Sequence, residues 1–104
     1  MAEYRIEITT RAKRDIKEIH TYITENLKEP NAADILLDRI ETEILTLKNM
    51  PLRHSIERDE KLKLRNLRKL IVDNYLVFYT VNNRTKTVFI VRVLYARRDW
   101  MRLL

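Results

Sequence analysis

Tyr75-Leu76-Val77-Phe78-Tyr79-Thr80-Val81 and Thr87-Val88-Phe89-Ile90-Val91-Arg92-Val93-Leu94-Tyr95 are separated by a short polar link that opens with Asn82-Asn83. Both runs are rich in β-branched and aromatic side chains, which suit a pleated sheet. Asn tolerates positive φ, so Asn82-Asn83 predicts the turn that folds one run back on the other. Leu67 to Val72 predicts a further strand just before them. These strands lack a clear polar face. One face is expected to pack on helices, and the other needs cover, from within the chain or from a partner.

Upstream, the period changes twice. Tyr4, Ile6 and Ile8 alternate with Arg5, Glu7 and Thr9, the period of a half-buried strand over 3–9. Thr9 or Thr10 then supplies a helix cap. Ala12, Ile16, Ile19, Ile23 and Leu27 form one stripe of an amphipathic helix over 11–27. Arg11, Lys13, Arg14, Lys17 and Glu18 lie off that stripe. Lys28-Glu29-Pro30-Asn31 breaks the helix, with Asn31 expected to cap the next. Ala33, Leu36 or Leu37, Ile40, Ile44 and Leu47 stripe a second helix over 32–49, which stops before Met50-Pro51. Residues 52–66 are polar and read as a surface loop entering a strand. The order β-α-α-β-β-β predicts an α+β fold: an antiparallel-dominated sheet, a helical hairpin on one face, and a short basic tail over 96–104.

One domain spans all 104 residues, an ordinary domain size. The chain contains no Gly and no Cys. Without glycine, neither a phosphate-cradling loop nor a dinucleotide fingerprint can be written. The Ser-centred hydrolase elbow is excluded on the same ground. Without cysteine there are no disulfides and no thiolate ligands, which suits a reducing cytoplasm. His20 and His54 alone cannot complete a zinc site. No cofactor or metal is expected. No apolar run reaches the roughly 20 residues of a membrane span, and the N-terminus is not that of a signal peptide.

Net charge is +6, but it is unevenly placed. Residues 1–52 carry 8 basic and 10 acidic side chains; residues 53–104 carry 13 and 5. A strongly basic second half suggests a polyanion or an acidic protein partner.

Ala12, Ile16, Ile19, Tyr22 and Ile23 of the first helix resemble the opening of the RelE/ParE toxins. Asn66 to Tyr79 is similar to that family as well, and so is the close Val91-Arg92-Val93-Leu94-Tyr95-Ala96-Arg97-Arg98-Asp99. The resemblance runs over nearly the whole chain and, within the family, lies closer to the ParE branch. It implies the toxin of a two-gene toxin–antitoxin module, held inactive by a cognate antitoxin. It also implies one of two activities. ParE-like members poison DNA gyrase without known hydrolytic chemistry; RelE-like members cut mRNA on the ribosome.

Cutting RNA through its 2′-hydroxyl needs a group that activates the nucleophile, cations for the phosphorane and an acid for the leaving oxygen. The resemblance implies a nuclease arginine at the position of Leu76, and a His or Tyr after the last strand, where this chain offers Tyr95. Leu76 therefore favours the ParE-like reading. If the chain is a nuclease, Lys63, Arg65, Arg68 and Tyr95 are its candidate residues, with Lys61 beside them. Lys63, Arg65, Arg92, Arg97 and Tyr95 are one candidate phosphate site, a solvated rim or an antitoxin dock being the alternatives. Contact with gyrase or antitoxin is expected through Arg92, Arg97, Arg98, Trp100 and Arg102. His54 is a candidate acid–base group by its ordinary pKa, whereas His20 reads as a helix boundary residue. A homodimer, a hetero-oligomer with antitoxin and an inactive relative retained for complex formation all stay open.

Overall fold

The computed structural model describes residues 3–49, 51–53, 66–97 and 103–104. A short first strand, β1 (Arg5–Ile8), leads into α1 (Thr10–Thr21), which continues as a π-helical turn over Tyr22–Asn26. After α2 (Pro30–Leu45) come the strands β2 (Arg68–Val72), β3 (Tyr75–Asn82) and β4 (Thr87–Tyr95). They form one sheet in the order β1-β4-β3-β2. β1 pairs parallel to β4, and the other two pairings are antiparallel. The expected α+β architecture and its mainly antiparallel sheet are thus present.

Period-two side chains sort to the two faces of the sheet. Leu70, Val72, Val77, Tyr79, Val88, Ile90 and Val93 join Ala12, Ile23, Ala33, Leu36, Ile40, Ile44 and Leu47 in the main core under the helices. Leu67, Leu76, Phe78 and Leu94 form a second cluster, against which Val91, Leu103 and Leu104 pack. The cover expected for that face comes at least partly from the chain's own end.

A β-bulge shapes β4. Phe78 faces Arg92, but Tyr79 faces Ile90, so Val91 is the additional residue. The insertion shifts the alternation by one. Ile90 and Val93, three apart, can therefore both face the helices.

Local chemistry sets the element ends. Thr9 caps α1, its hydroxyl accepting from the Ala12 amide at 3.2 Å. The helix expected to run regularly to Leu27 instead widens into the π turn after Thr21. Asn31 does not cap α2: Glu29 holds that position and Pro30 is the first helical residue. Proline suits this place because its missing amide hydrogen would have no partner in the first turn. The second helix ends at Leu45 and tightens into a 3-10 turn over Thr46–Lys48.

The β3–β4 turn also departs from expectation. Its left-handed residue is Lys86 (φ 52°), not an asparagine. Asn82 ends β3, and its side-chain oxygen accepts from the Arg84 and Thr85 amides at 3.0 and 3.1 Å. Lys28, Asn66 and Asp73 also take positive φ. In a chain without glycine, these four residues make the backbone reversals glycine would ordinarily supply.

Candidate functional site

β1 stops opposite Ile90, and among the described residues no strand neighbours β4 on that side from Val91 onward. The start of α1 takes over this edge. The Thr9 amide donates to the Ile90 carbonyl at 3.0 Å, and the Thr9 hydroxyl to the Val91 carbonyl at 3.3 Å. Asp15, one and a half turns into α1, accepts the Val93 amide at 3.0 Å. An unpaired buried amide is costly, and this carboxylate removes the cost.

The same carboxylate takes Arg92 in a two-pronged grip. Arg92 Nε lies 2.7 Å from Asp15 Oδ2, and Nη2 lies 3.0 Å from Oδ1. Arg92 Nη1 donates to the Leu103 carbonyl at 2.6 Å. Arg11 adds a longer contact to Asp15, 3.6 Å. Asp15 is 4% exposed and Arg92 is 9% exposed. A planar guanidinium matches a carboxylate in this geometry, which makes the pair both strong and directional. Arg92 thus joins α1, β4 and the chain end.

A cleft of about 670 Å³ opens over this pair. Ile19, Tyr22 and Leu27 line one wall, Tyr75, Leu94 and Tyr95 the other, and Arg11 and Glu18 stand at the rim. The Tyr75 and Tyr95 rings meet at 5.5 Å between centroids, tilted by 60°. Burial pushes the Tyr75 pKa up, with Tyr95 and Tyr22 adding to the shift. Tyr22 and Leu27 are about half exposed. The cleft offers aromatic and aliphatic walls over a guanidinium with three of its five N–H donors on Asp15 and the Leu103 carbonyl.

The contact candidates divide accordingly. Arg92 is buried, with three of its five donors on Asp15 and the Leu103 carbonyl. Arg97 is exposed just beyond β4. Arg98, Trp100 and Arg102 lie outside the described residues, as do Lys61, Lys63, Arg65 and His54. Of the nuclease candidates, Arg68 and Tyr95 are described, and the sheet holds them apart. Arg68 pairs with Tyr79 and Tyr95 with Tyr75, on opposite sides of β3. Four residues of strand are roughly 13 Å. Arg68 also donates to the Leu52 carbonyl at 3.5 Å. His20 sits where a boundary residue should, half-buried, with Nε2 2.8 Å from Asp34 Oδ1. Among the described residues, no three His, Cys, Asp or Glu side chains gather as a metal site. No helix among them is long and apolar enough to cross a membrane.

Asp15 is the residue that sequence reading passed over. Its signal is positional: it lies three residues after Ala12 and four before Ile19, within the apolar stripe. A carboxylate there has to find a buried partner.

A hairpin of two helices on a four-stranded mixed sheet, with a parallel first strand beside the last, defines a small α+β class. The model of the ParE toxins of type II toxin–antitoxin (parDE) systems matches residues 6–100. The chain belongs to that family. No curated protein matches it. Solved structures show the same fold. The toxin–antitoxin ParDE system of P. aeruginosa aligns with a TM-score of 0.74 at 16% identity, over 91% of this chain and 98% of that one. The RelBE2 complex of Mycobacterium tuberculosis gives 0.64 at 24% identity, over 91% and 93%. A mutant of the E. coli toxin RelE in its free state gives 0.66 at 11% identity, over 97% and 92%.

Proposed function

We propose that this type II toxin arrests growth by poisoning DNA gyrase and that a cognate antitoxin neutralises it. The observation that carries the reading is Leu76. Family resemblance gives this position to an arginine in the RNA-cutting branch. Here it is a leucine, buried in the second apolar cluster with Leu67, Phe78 and Leu94. The family match and the burial of Arg92 against Asp15 support the same reading. So does the separation of Arg68 from Tyr95, since RNA cleavage needs its cation and proton-transfer groups around one phosphate. On this reading the protein works by gripping its target, not by chemistry. Arg97, with Arg98, Trp100 and Arg102 beyond it, contacts gyrase or the antitoxin. Place of action is the cytoplasm, where gyrase works.

A supercoiling assay with purified gyrase tests this directly. Excess toxin is expected to suppress supercoiling and accumulate cleaved DNA, and equimolar antitoxin to restore activity. Unchanged supercoiling at saturating toxin would sink the proposal. Codon-positioned mRNA cuts after induction, mapped by primer extension, would replace it with the nuclease reading.

A further inference from the structure

Charge on the helical hairpin is sorted by helix. α2 carries Asp34, Asp38, Glu41 and Glu43 against Arg39. α1 carries Arg11, Lys13, Arg14 and Lys17 against Asp15 and Glu18, and Asp15 is buried on Arg92. Glu18 is thus the exposed acid of α1. At 3.6 residues per turn, Lys13, Lys17 and Arg14 fall within about 100° of arc on the outward side. Arg11 extends that arc toward Tyr22 and the cleft, with Glu18 between it and Arg14. Arg11, Lys13, Arg14, Lys17 and Glu18 are all exposed.

This stripe works against the helix that carries it. The first turns of a helix are the positive end of its dipole and favour acids, yet the first turn of α1 has none. Like charges spaced three and four apart repel. The acidic neighbour helix does not relieve them. Among the described residues, the cross-hairpin pair is His20 with Asp34. The side chains of Lys13, Arg14 and Lys17 have no hydrogen bond or ion pair within that set. Local stability does not account for such an arrangement, but an external polyanion does.

We propose that the outward face of α1, centred on Lys13, Arg14 and Lys17 with Arg11 at its edge, binds the phosphate backbone of duplex DNA. Cations along a straight helix neutralise phosphates without reading bases. Single-strand binders use grooves lined with several aromatic platforms, and this convex face has Tyr22 at its end. The choice of DNA over an RNA duplex rests on the gyrase reading; the phosphate site itself does not.

Fluorescence anisotropy of the full chain on a labelled duplex of about 20 base pairs, across a salt series, tests the site. Parallel arms use an RNA duplex of the same sequence and phosphatidylserine vesicles. DNA binding is expected to fall steeply with salt. The K13A/R14A/K17A variant is expected to bind at least tenfold more weakly at low salt, with its salt slope reduced by about two to three, each lost contact removing about 0.9. R84A, which removes an exposed arginine of the β3–β4 turn, should leave both unchanged. A thermal melt of the triple variant should show an unlowered Tm, since the variant relieves repulsion. Parent-like DNA binding by the triple variant overturns the inference. Tighter binding to RNA or vesicles, or loss of self-association as the variant's main defect, overturns it too. If the parent binds DNA through this face yet leaves gyrase untouched, the gyrase reading fails and the DNA site stands. If it poisons gyrase while the triple variant binds DNA normally, the DNA site fails and the gyrase reading stands.

Discussion

Asp15 accepts from Arg92 twice and from the Val93 amide once, so a single carboxylate closes a strand edge and neutralises a buried guanidinium. Removing one partner of such a pair leaves an uncompensated charge in a poorly hydrated place. Asp15→Ala is therefore expected to destabilise the fold by about 3–5 kcal/mol. Replacing both partners by apolar groups of similar volume, Asp15→Leu with Arg92→Met, should recover much of that loss, because desolvation of both charges is avoided. The Val93 amide remains unpaired in the double variant, so recovery is incomplete. Urea denaturation of the two single variants and the double variant gives the coupling directly. Lys28 presents the opposite situation. It holds φ at 57° after the π turn, a conformation costing a side-chain-bearing residue about 1–2 kcal/mol. Lys28→Gly is expected to raise stability by up to about 1 kcal/mol after glycine's added unfolded-state entropy is counted. The same change at Asn66 or Asp73 should gain less, since these residue types tolerate the left-handed region.

α2 starts without a working cap. Glu29 occupies the cap position and its side chain makes no capping hydrogen bond. The amides of the first turn are therefore not capped by this side chain. Glu29→Asp shortens the side chain to the length that reaches those amides and is expected to stabilise the protein by about 0.5–1 kcal/mol, read as a rise in Tm. The same junction shows why some boundaries were legible and others were not. β-Branched and aromatic content announced β3 and β4, and β4 spans the expected Thr87–Tyr95. The spacing of Ala33, Ile40 and Ile44 announced α2. Pro30 was read as a breaker when it opens a helix, because proline's ring permits both and only the neighbouring backbone decides. The π turn after Thr21 left no mark in the stripe, since Ile23 is buried either way. The Asp15–Arg92 clamp spans 77 residues. No local pattern carries a contact of that separation, so the sequence points to Arg92 as a phosphate-site or contact candidate and not as the partner of Asp15. Leu76 was legible as apolar, and its weight came from family resemblance rather than from the residue itself.

At the scale of the whole molecule, the sheet has two apolar faces and, among the described residues, α1 and α2 layer one of them. Leu103 and Leu104 pack on the other, over Leu67, Leu76, Phe78 and Leu94. Arg92 fixes this end of the chain by holding the Leu103 carbonyl. The arrangement couples the core ion pair to the cover of the second face, and both to the side of the molecule where Arg97 emerges. Ile71, on the edge strand β2, remains 63% exposed, so cover on the second face stops short of that edge. Replacing Leu103 and Leu104 together by Ser keeps the backbone carbonyl for Arg92 but removes two apolar side chains from the cluster. At about 25 cal/mol per Å² of apolar surface, loss of two half-buried leucines is expected to cost about 1–3 kcal/mol. For a chain near 100 residues this lowers Tm by roughly 4–8 °C per kcal/mol. The newly exposed sheet should also bind a hydrophobic dye that the parent does not, while far-ultraviolet circular dichroism stays unchanged because the main core under the helices is intact. Unaltered Tm and dye binding would mean that the chain end does not support the second face, and the link from Arg92 through the tail to that face would have to be given up.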